Sequence, residues 1–243
     1  MARTYNRNSS KQTVSPEEIL VGIKSNQPDS LYLIYGENQV QVKKYINEIL
    51  DLLLPKEYRD GNLLVQDSKT FSVTDIIDFC DTLPFLASRR VVLIENCPLL
   101  QESKRSPKKL DEASNLLLSW LDSHKDEKEK SYCLLFSFVE DTEKSKLYTS
   151  NKLYKFISKQ GIVSECPLSE SIQEFINACS QNNIPKSLEK LEKLFAEGID
   201  SSELGYQLMG RLRYPLKRDL SGSNYYSKRE INPSIMEGKG TVP

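Results

Sequence analysis

Histidine, paired cysteine, surplus charge and long apolar runs are what this sequence lacks, and each absence closes off a class of function. The single histidine, His124, stands in the charge-rich run DSHKDEKEK. That is a solvated setting, whereas a general base working near neutrality needs a cleft that tunes its imidazole. Acid pairs such as Glu17-Glu18 and Asp111-Glu112 sit among lysines and read as helix surface. The five cysteines (Cys80, Cys97, Cys133, Cys166 and Cys179) are odd in number and lack the paired spacing of a zinc site or disulfide framework. They read as small buried thiols of a reducing cytoplasm. Lysine and arginine total 33 against 34 acidic residues, a formal charge of -1. Coating nucleic acid needs concentrated positive charge, so only a local basic patch is left to consider. No apolar run approaches the roughly 20 residues of a membrane-spanning helix. The opening MARTYNRNSSKQTVSP has basic residues with no apolar stretch behind them, which is not a secretory signal.

What is present is an alternation. With 38% hydrophobic and 28% charged residues the 243-residue chain has a globular composition. Residues 1–29 read as a flexible polar arm. From Ser30 to about Leu168, short apolar runs alternate with longer amphipathic ones. LYLIYGEN, NLLVQD, RRVVLIEN, SYCLLFSFVED and GIVSECPL have the length and residue types of strands. Between the first two, Val42, Tyr45, Ile46, Ile49, Leu50 and Leu53 recur at helical spacing. SVTDIIDFCDTL predicts a helix capped by Ser72, and Leu117, Trp120 and Leu121 mark the inward face of another. A lysine-rich helix over about 151–159 precedes the last strand. Strands separated by helices in this way predict a parallel sheet covered on both faces. Beyond Ser169 only helical patterns follow: Ile172, Phe175, Ile176 and Cys179, then Leu188, Leu191, Leu194 and Phe195 with Gly198 at a C-cap, then Leu204, Leu208 and Leu212 before Pro215. The Ser/Gly/Asn/Pro-rich tail over 221–243 reads as disordered.

Three segments bear on chemistry. Gly36 ends a strand and precedes a helix, the setting of a phosphate-binding loop. That loop requires G-x-x-x-x-G-K-[ST], and this chain has GENQVQVKK, without the second glycine or the lysine and hydroxyl that follow it. Gly36 therefore reads as a turn residue and no nucleotide cofactor is expected. Glu95, at the end of VVLIEN, stands where a magnesium-binding acid would serve a bound nucleotide, and without the loop it reads as solvent-facing. The third segment, DTLPFLASRR over 81–90, has a helix stopping at a proline, two bulky apolar residues, then small polar residues and arginines leading into a strand. Two readings stand side by side. Phe85 and Leu86 pack inward and cap the sheet, or they form an exposed wedge that anchors a protein–protein contact.

The ordered set of segments resembles a known family. LYLIYGENQVQVKKYINEIL is similar to the opening of DNA polymerase III delta subunits, with its degenerate glycine turn. TLPFLASRRVVLIEN resembles that family's clamp-binding element and the strand after it, and LLFSFVEDTEKSKLYTSNKLYKFISKQGIVSECPLS resembles its later strand, lysine-bearing helix and final strand. The likeness runs from Ser30 to about Ser169.

The resemblance implies an α/β, AAA+/P-loop-like parallel sheet with flanking helices over 30–168, binding a sliding clamp and hydrolysing no ATP. The implied protein opens the ring-shaped clamp during DNA replication as a non-catalytic subunit of the polymerase holoenzyme in the cytoplasm. Its implied partners are the sliding clamp (beta subunit), the ATPase and delta-prime subunits of the clamp loader and, through the complex, primed DNA. It implies no membrane partner. Carried over by position, Phe85 and Leu86 enter a hydrophobic pocket on the clamp, with Leu83 and Pro84 shaping the approach. The aromatic residue comes first of the pair here, whereas in the family it often comes second. Family members also have a helical lid and then a helical collar. The segment 169–220 is too short for both and resembles part of the collar, as in a reduced member or a truncated product. A clamp-binding relative unable to load, and a degenerate P-loop nucleotide enzyme, are the alternatives. Two basic clusters are candidates for DNA contact: Lys104, Arg105, Lys108 and Lys109 in a loop, and Arg211, Arg213, Lys217 and Arg218 at a helix end.

Overall fold

A strand buried on both faces must alternate its side chains between two cores, and β1 (Leu31–Gly36) does so. Leu31, Leu33 and Tyr35 enter one core, Tyr32 and Ile34 the other. The same alternation runs through β3 (Arg90–Glu95) and β4 (Tyr132–Val139). Val92, Ile94, Leu134 and Phe136 face the first core, Val91, Leu93, Cys133 and Leu135 the second. With β2 (Leu63–Gln66) and β5 (Ile162–Glu165) these strands form one parallel sheet in the order β2-β3-β4-β1-β5. The architecture is α/β, a five-stranded parallel sheet with flanking helices, as the sequence predicts. The computed structural model describes residues 13–101, 108–127, 130–140, 146–196, 198–199, 201, 204–205 and 208. The chain divides into two compact units, Met1–Ser169 and Glu170–Pro243.

Helices cover both faces of the first unit. On one lie α3 (Val73–Asp81), α4 (Lys108–Ser123) and α5 (Lys152–Gln160), which contribute Ile76, Cys80, Leu117, Trp120, Leu121, Leu153 and Ile157 to the first core. On the other lie α1 (Pro16–Lys24) and α2 (Gln39–Leu53), with Ile19, Ile23, Val42, Ile46, Ile49 and Leu50 in the second. Fully burying each such aliphatic or aromatic side chain contributes about 1.5–3 kcal/mol. The caps are local: Ser72 accepts from the Asp75 N–H, and Asn151 from Leu153 and Tyr154.

Helix α1 corrects the reading of residues 1–29 as a flexible arm. Ser15 and Glu18 form a reciprocal capping box, Pro16 occupies the first turn, and Ile19 and Ile23, four residues apart, are buried. The Val14 N–H donates to the Val163 carbonyl at 3.1 Å, so the segment is tied to edge strand β5 before the helix begins. Residues 1–12 lie outside the described residues.

In the second unit α6 (Glu170–Ser180) and α7 (Ile184–Ala196) pack on each other, with a Lys190–Glu174 ion pair of 2.8 Å between them. Gly198, at φ +81°, ends α7: its N–H reaches the Phe195 carbonyl and that of Ile199 the Leu194 carbonyl. The tail over 221–243 and Arg211, Arg213, Lys217 and Arg218 lie outside the described residues.

Candidate functional site

In the connection between α3 and β3 the bulky apolar side chains of DTLPFLASRR face solvent and do not cap the sheet. Leu83, Phe85 and Leu86 are 80%, 66% and 76% exposed, and Pro84 is half-buried. Single exposed apolar residues are ordinary on a protein surface; three within four positions are not. Pro84 accounts for the local break, since its ring cannot continue a helix and holds Leu83 out of the helical region. Thr82 closes the helix by donating its hydroxyl to the Asp78 carbonyl at 2.8 Å. Asp81, one residue earlier, accepts the Trp120 indole N–H at 2.9 Å, which fixes the helix end to α4.

The backbone of the loop is held although its side chains are in solvent. Asn62, 1% exposed at the entry to β2, grips Phe85 at two points. Its carboxamide oxygen accepts the Phe85 N–H at 2.7 Å, and its nitrogen donates to the Phe85 carbonyl at 2.6 Å and the Tyr58 carbonyl at 2.8 Å. On the other side the Arg90 Nε donates to the Leu83 carbonyl at 3.1 Å while the guanidinium lies 4.5 Å from the Phe79 ring centroid. Ala87 packs against the second core, and an Arg89 guanidinium nitrogen donates to the Asp29 carbonyl at 3.3 Å. Between these anchors Leu86 stands at φ +54°, a left-handed conformation that a γ-branched residue rarely takes. Sequence reasoning reached the loop but not Asn62, whose role depends on a contact 23 residues away in the chain.

At the other end of the sheet the turn from β1 into α2 is closed. Gly36 is more than a turn residue: a Cβ there would lie 2.1 Å from the Cys166 carbonyl oxygen, at a φ of +154°. Cys166 also donates its N–H to the Tyr35 carbonyl at 2.7 Å, and Glu140 donates to that of Gly36 at 2.9 Å. Asn38, buried, accepts the Gln41 N–H at 3.0 Å and so caps α2 internally. The strand-to-helix turn is thus packed against neighbouring backbone. Glu95 is half-buried at the end of β3.

His124 differs from its reading as a residue of a solvated loop. Its ring lies 4.6 Å from that of Trp120, and Nδ1 is 2.8 Å from the Trp120 carbonyl oxygen. Cys80, Cys97, Cys133 and Cys166 are buried. Burial pushes the Cys97 and Cys133 thiols up to about 12 and that of Cys166 to about 11, so these three are protonated packing groups at neutral pH. Among the described residues no cluster of side chains could hold a metal ion, and no helix is long and apolar enough to cross a membrane. Of the basic loop, Lys104 and Arg105 lie outside the described residues. Lys108 begins α4, and Lys109 beside it is exposed.

Comparison with known proteins converges on one family. The sequence profile for "DNA polymerase III, delta subunit" matches residues 32–167, from β1 through β5 and including the α3–β3 loop. The curated DNA polymerase III subunit delta of Bacillus subtilis is 23% identical over 106 residues, which cover 44% of this chain and 30% of that protein. The aligned stretch thus spans under a third of that relative's length. Among solved structures, the Bacillus subtilis DNA clamp loader delta protein superposes with a TM-score of 0.53 at 14% identity, over 91% of this chain and 83% of that one. By its matched sequence over most of the α/β unit, this chain belongs to the DNA polymerase III delta subunit family.

Proposed function

We propose that the protein is a non-catalytic clamp-loader subunit that binds a sliding clamp through Leu83, Pro84, Phe85 and Leu86 and favours opening of the ring. The observation that carries this reading is an exposed apolar triplet on an immobilised backbone. Burying Leu83, Phe85 and Leu86 in a partner's apolar pocket removes them from water, and little loop entropy remains to be lost. Opening follows as a population shift. A wedge that binds an opened or strained clamp interface more tightly than a closed one favours opening by that difference in affinity. The closed turn at Gly36 supports the non-catalytic part of the proposal. Assembly with the ATPase and delta-prime subunits, through the helical unit that resembles part of the collar, belongs to the same proposal.

The test is binding to the sliding clamp of the host, with Phe85→Ala/Leu86→Ala as the comparison. Micromolar or tighter binding is expected, weakened by about a hundredfold or more in the double variant. The melting curve should be preserved, because both side chains are exposed. Absence of binding by the folded wild-type protein would leave the family assignment standing and end the clamp-binding proposal. Magnesium-ATP should leave the melting midpoint unchanged, and a concentration-dependent rise would instead favour a degenerate nucleotide enzyme.

A further inference from the structure

We infer that Asn62 is the positioning residue of the clamp-binding loop, holding Phe85 and Leu86 in a conformation that the loop alone would not keep. The inference rests on the clamp-binding reading above and adds the device that makes the loop competent.

Asn62 is buried at the start of the sheet's edge strand, where most strand-entry positions need only backbone pairing. Its own carbonyl makes the ladder bond, accepting the Val91 N–H at 2.8 Å, so β2 and β3 are joined without the side chain. The carboxamide does something else. It presents one acceptor and one donor to the two backbone groups of a single residue, Phe85, as a neighbouring strand would. An aspartate cannot do this, since an ionised carboxylate has no hydrogen to give the Phe85 carbonyl. A serine is too short to span both groups. The second donor hydrogen goes to the Tyr58 carbonyl, which fixes the amide plane and therefore the direction in which Phe85 is held.

Leu86 indicates why such a clasp is present. The left-handed conformation at φ +54° is one that glycine or asparagine takes readily and leucine resists. A loop whose only task was to join α3 to β3 would be more stable with glycine there. A leucine that is strained and largely in solvent is explained by a contact outside the chain, and the strain persists only while the surroundings enforce it. Asn62 on Phe85 and Arg90 on Leu83 bracket the strained residue's approach. Losing the carboxamide lets the segment relax, so that a clamp must select the competent conformer from a mixture and the apparent affinity falls by that fraction.

The experiment pairs amide hydrogen exchange with clamp binding, using the full chain and the host's sliding clamp. In the wild-type protein the Phe85 amide should exchange slowly despite its exposed side chain. Free exchange there would overturn the inference without any variant. Asn62→Ala should release that amide while Val92 and Leu93 in β3 stay protected, and should weaken clamp binding by about tenfold or more, equivalent to ~1.4 kcal/mol. Asn62→Ser, smaller in its disturbance, should act in the same direction and serves if the alanine variant does not fold. Wild-type binding with both variants binding equally well would overturn the positioning role and leave the clamp-binding proposal intact. No wild-type binding would remove both. Uniform loss of protection across β3 would mean that Asn62 holds the fold and not the loop.

Discussion

The turn at Gly36 and the α3–β3 loop, at opposite ends of the parallel sheet, are built in opposite ways. At the carboxyl ends of the strands, where open α/β sheets ordinarily receive their ligands, the turn at Gly36 is pressed under the Cys166 backbone and α2 is capped by its own Asn38. At the amino end, the loop entering β3 carries Leu83, Phe85 and Leu86 into solvent on a backbone tied down by Asn62 and Arg90. At one end a strand-to-helix turn is packed against backbone, and at the other exposed apolar side chains stand on a hydrogen-bonded backbone. Together they teach that a parallel α/β sheet can be tightly packed at one strand-to-helix turn and still present apolar side chains from a loop at its opposite end.

The most forceful way to break this contrast is Gly36→Ala. A Cβ 2.1 Å from a carbonyl oxygen cannot be relieved by a rotamer change, because the obstacle is backbone at the end of β5. Moving it would strain the Cys166–Tyr35 hydrogen bond and the sheet edge. The expected loss is about 3 kcal/mol or more by urea denaturation, the range of clashes and special backbone geometry in a core. Tolerance within about 1 kcal/mol would mean that β5 moves freely and the carboxyl end is not closed by packing.

At the other end the signs should reverse. Leu86→Gly removes a left-handed cost of roughly 1–2 kcal/mol, against about 0.4–1 kcal/mol of added unfolded-chain entropy. Leu86 is exposed, so little burial is lost. The folded protein should gain about 0.5–1 kcal/mol while clamp affinity drops. A destabilised Leu86→Gly protein would show that the residue serves the fold, and the contrast between the two ends would weaken.

Much of this was legible in the residues. The five strands follow from runs such as SYCLLFSFVED, where both faces of the sheet demand apolar side chains and β-branched or aromatic residues supply them. The covering helices follow from stripes such as Leu117, Trp120 and Leu121. Helix α1 is written in its capping box and the Ile19–Ile23 pair, although the polar run before Ser15 reads as a flexible arm. The direction of Phe85 and Leu86 was not legible. Whether two apolar residues in a loop face in or out depends on what holds their backbone, and here that is a carboxamide from another strand. Gly36 shows the same limit: the sequence gives the turn, but the carbonyl lying over it comes from a residue at the far end of the domain.

Helix α1 gives the smallest and most specific test of the closed end, since it packs on α2 and β5 there. The Tyr45 phenol of α2 donates to the Glu17 carboxylate of α1. That bond holds Glu17 below the usual carboxylate range, and the same bond, with burial, pushes Tyr45 up to about 12. A depressed carboxylate stabilises the fold above its unfolded pKa, and the contribution is lost as pH falls through the folded value. A raised tyrosine stabilises below its unfolded pKa and loses the contribution only toward pH 12. Tyr45→Phe should therefore cost a few tenths of a kcal/mol at pH 7, since Glu17 is largely exposed and solvent screens it. The gap between variant and wild type should be flat across neutrality and close as pH drops below the carboxylate range. Paired urea titrations at neutral and acid pH would measure it. A gap that persists in acid would show that the phenol hydroxyl contributes independently of the Glu17 charge, and the ionised carboxylate would then not be what strengthens the tie between α1 and α2.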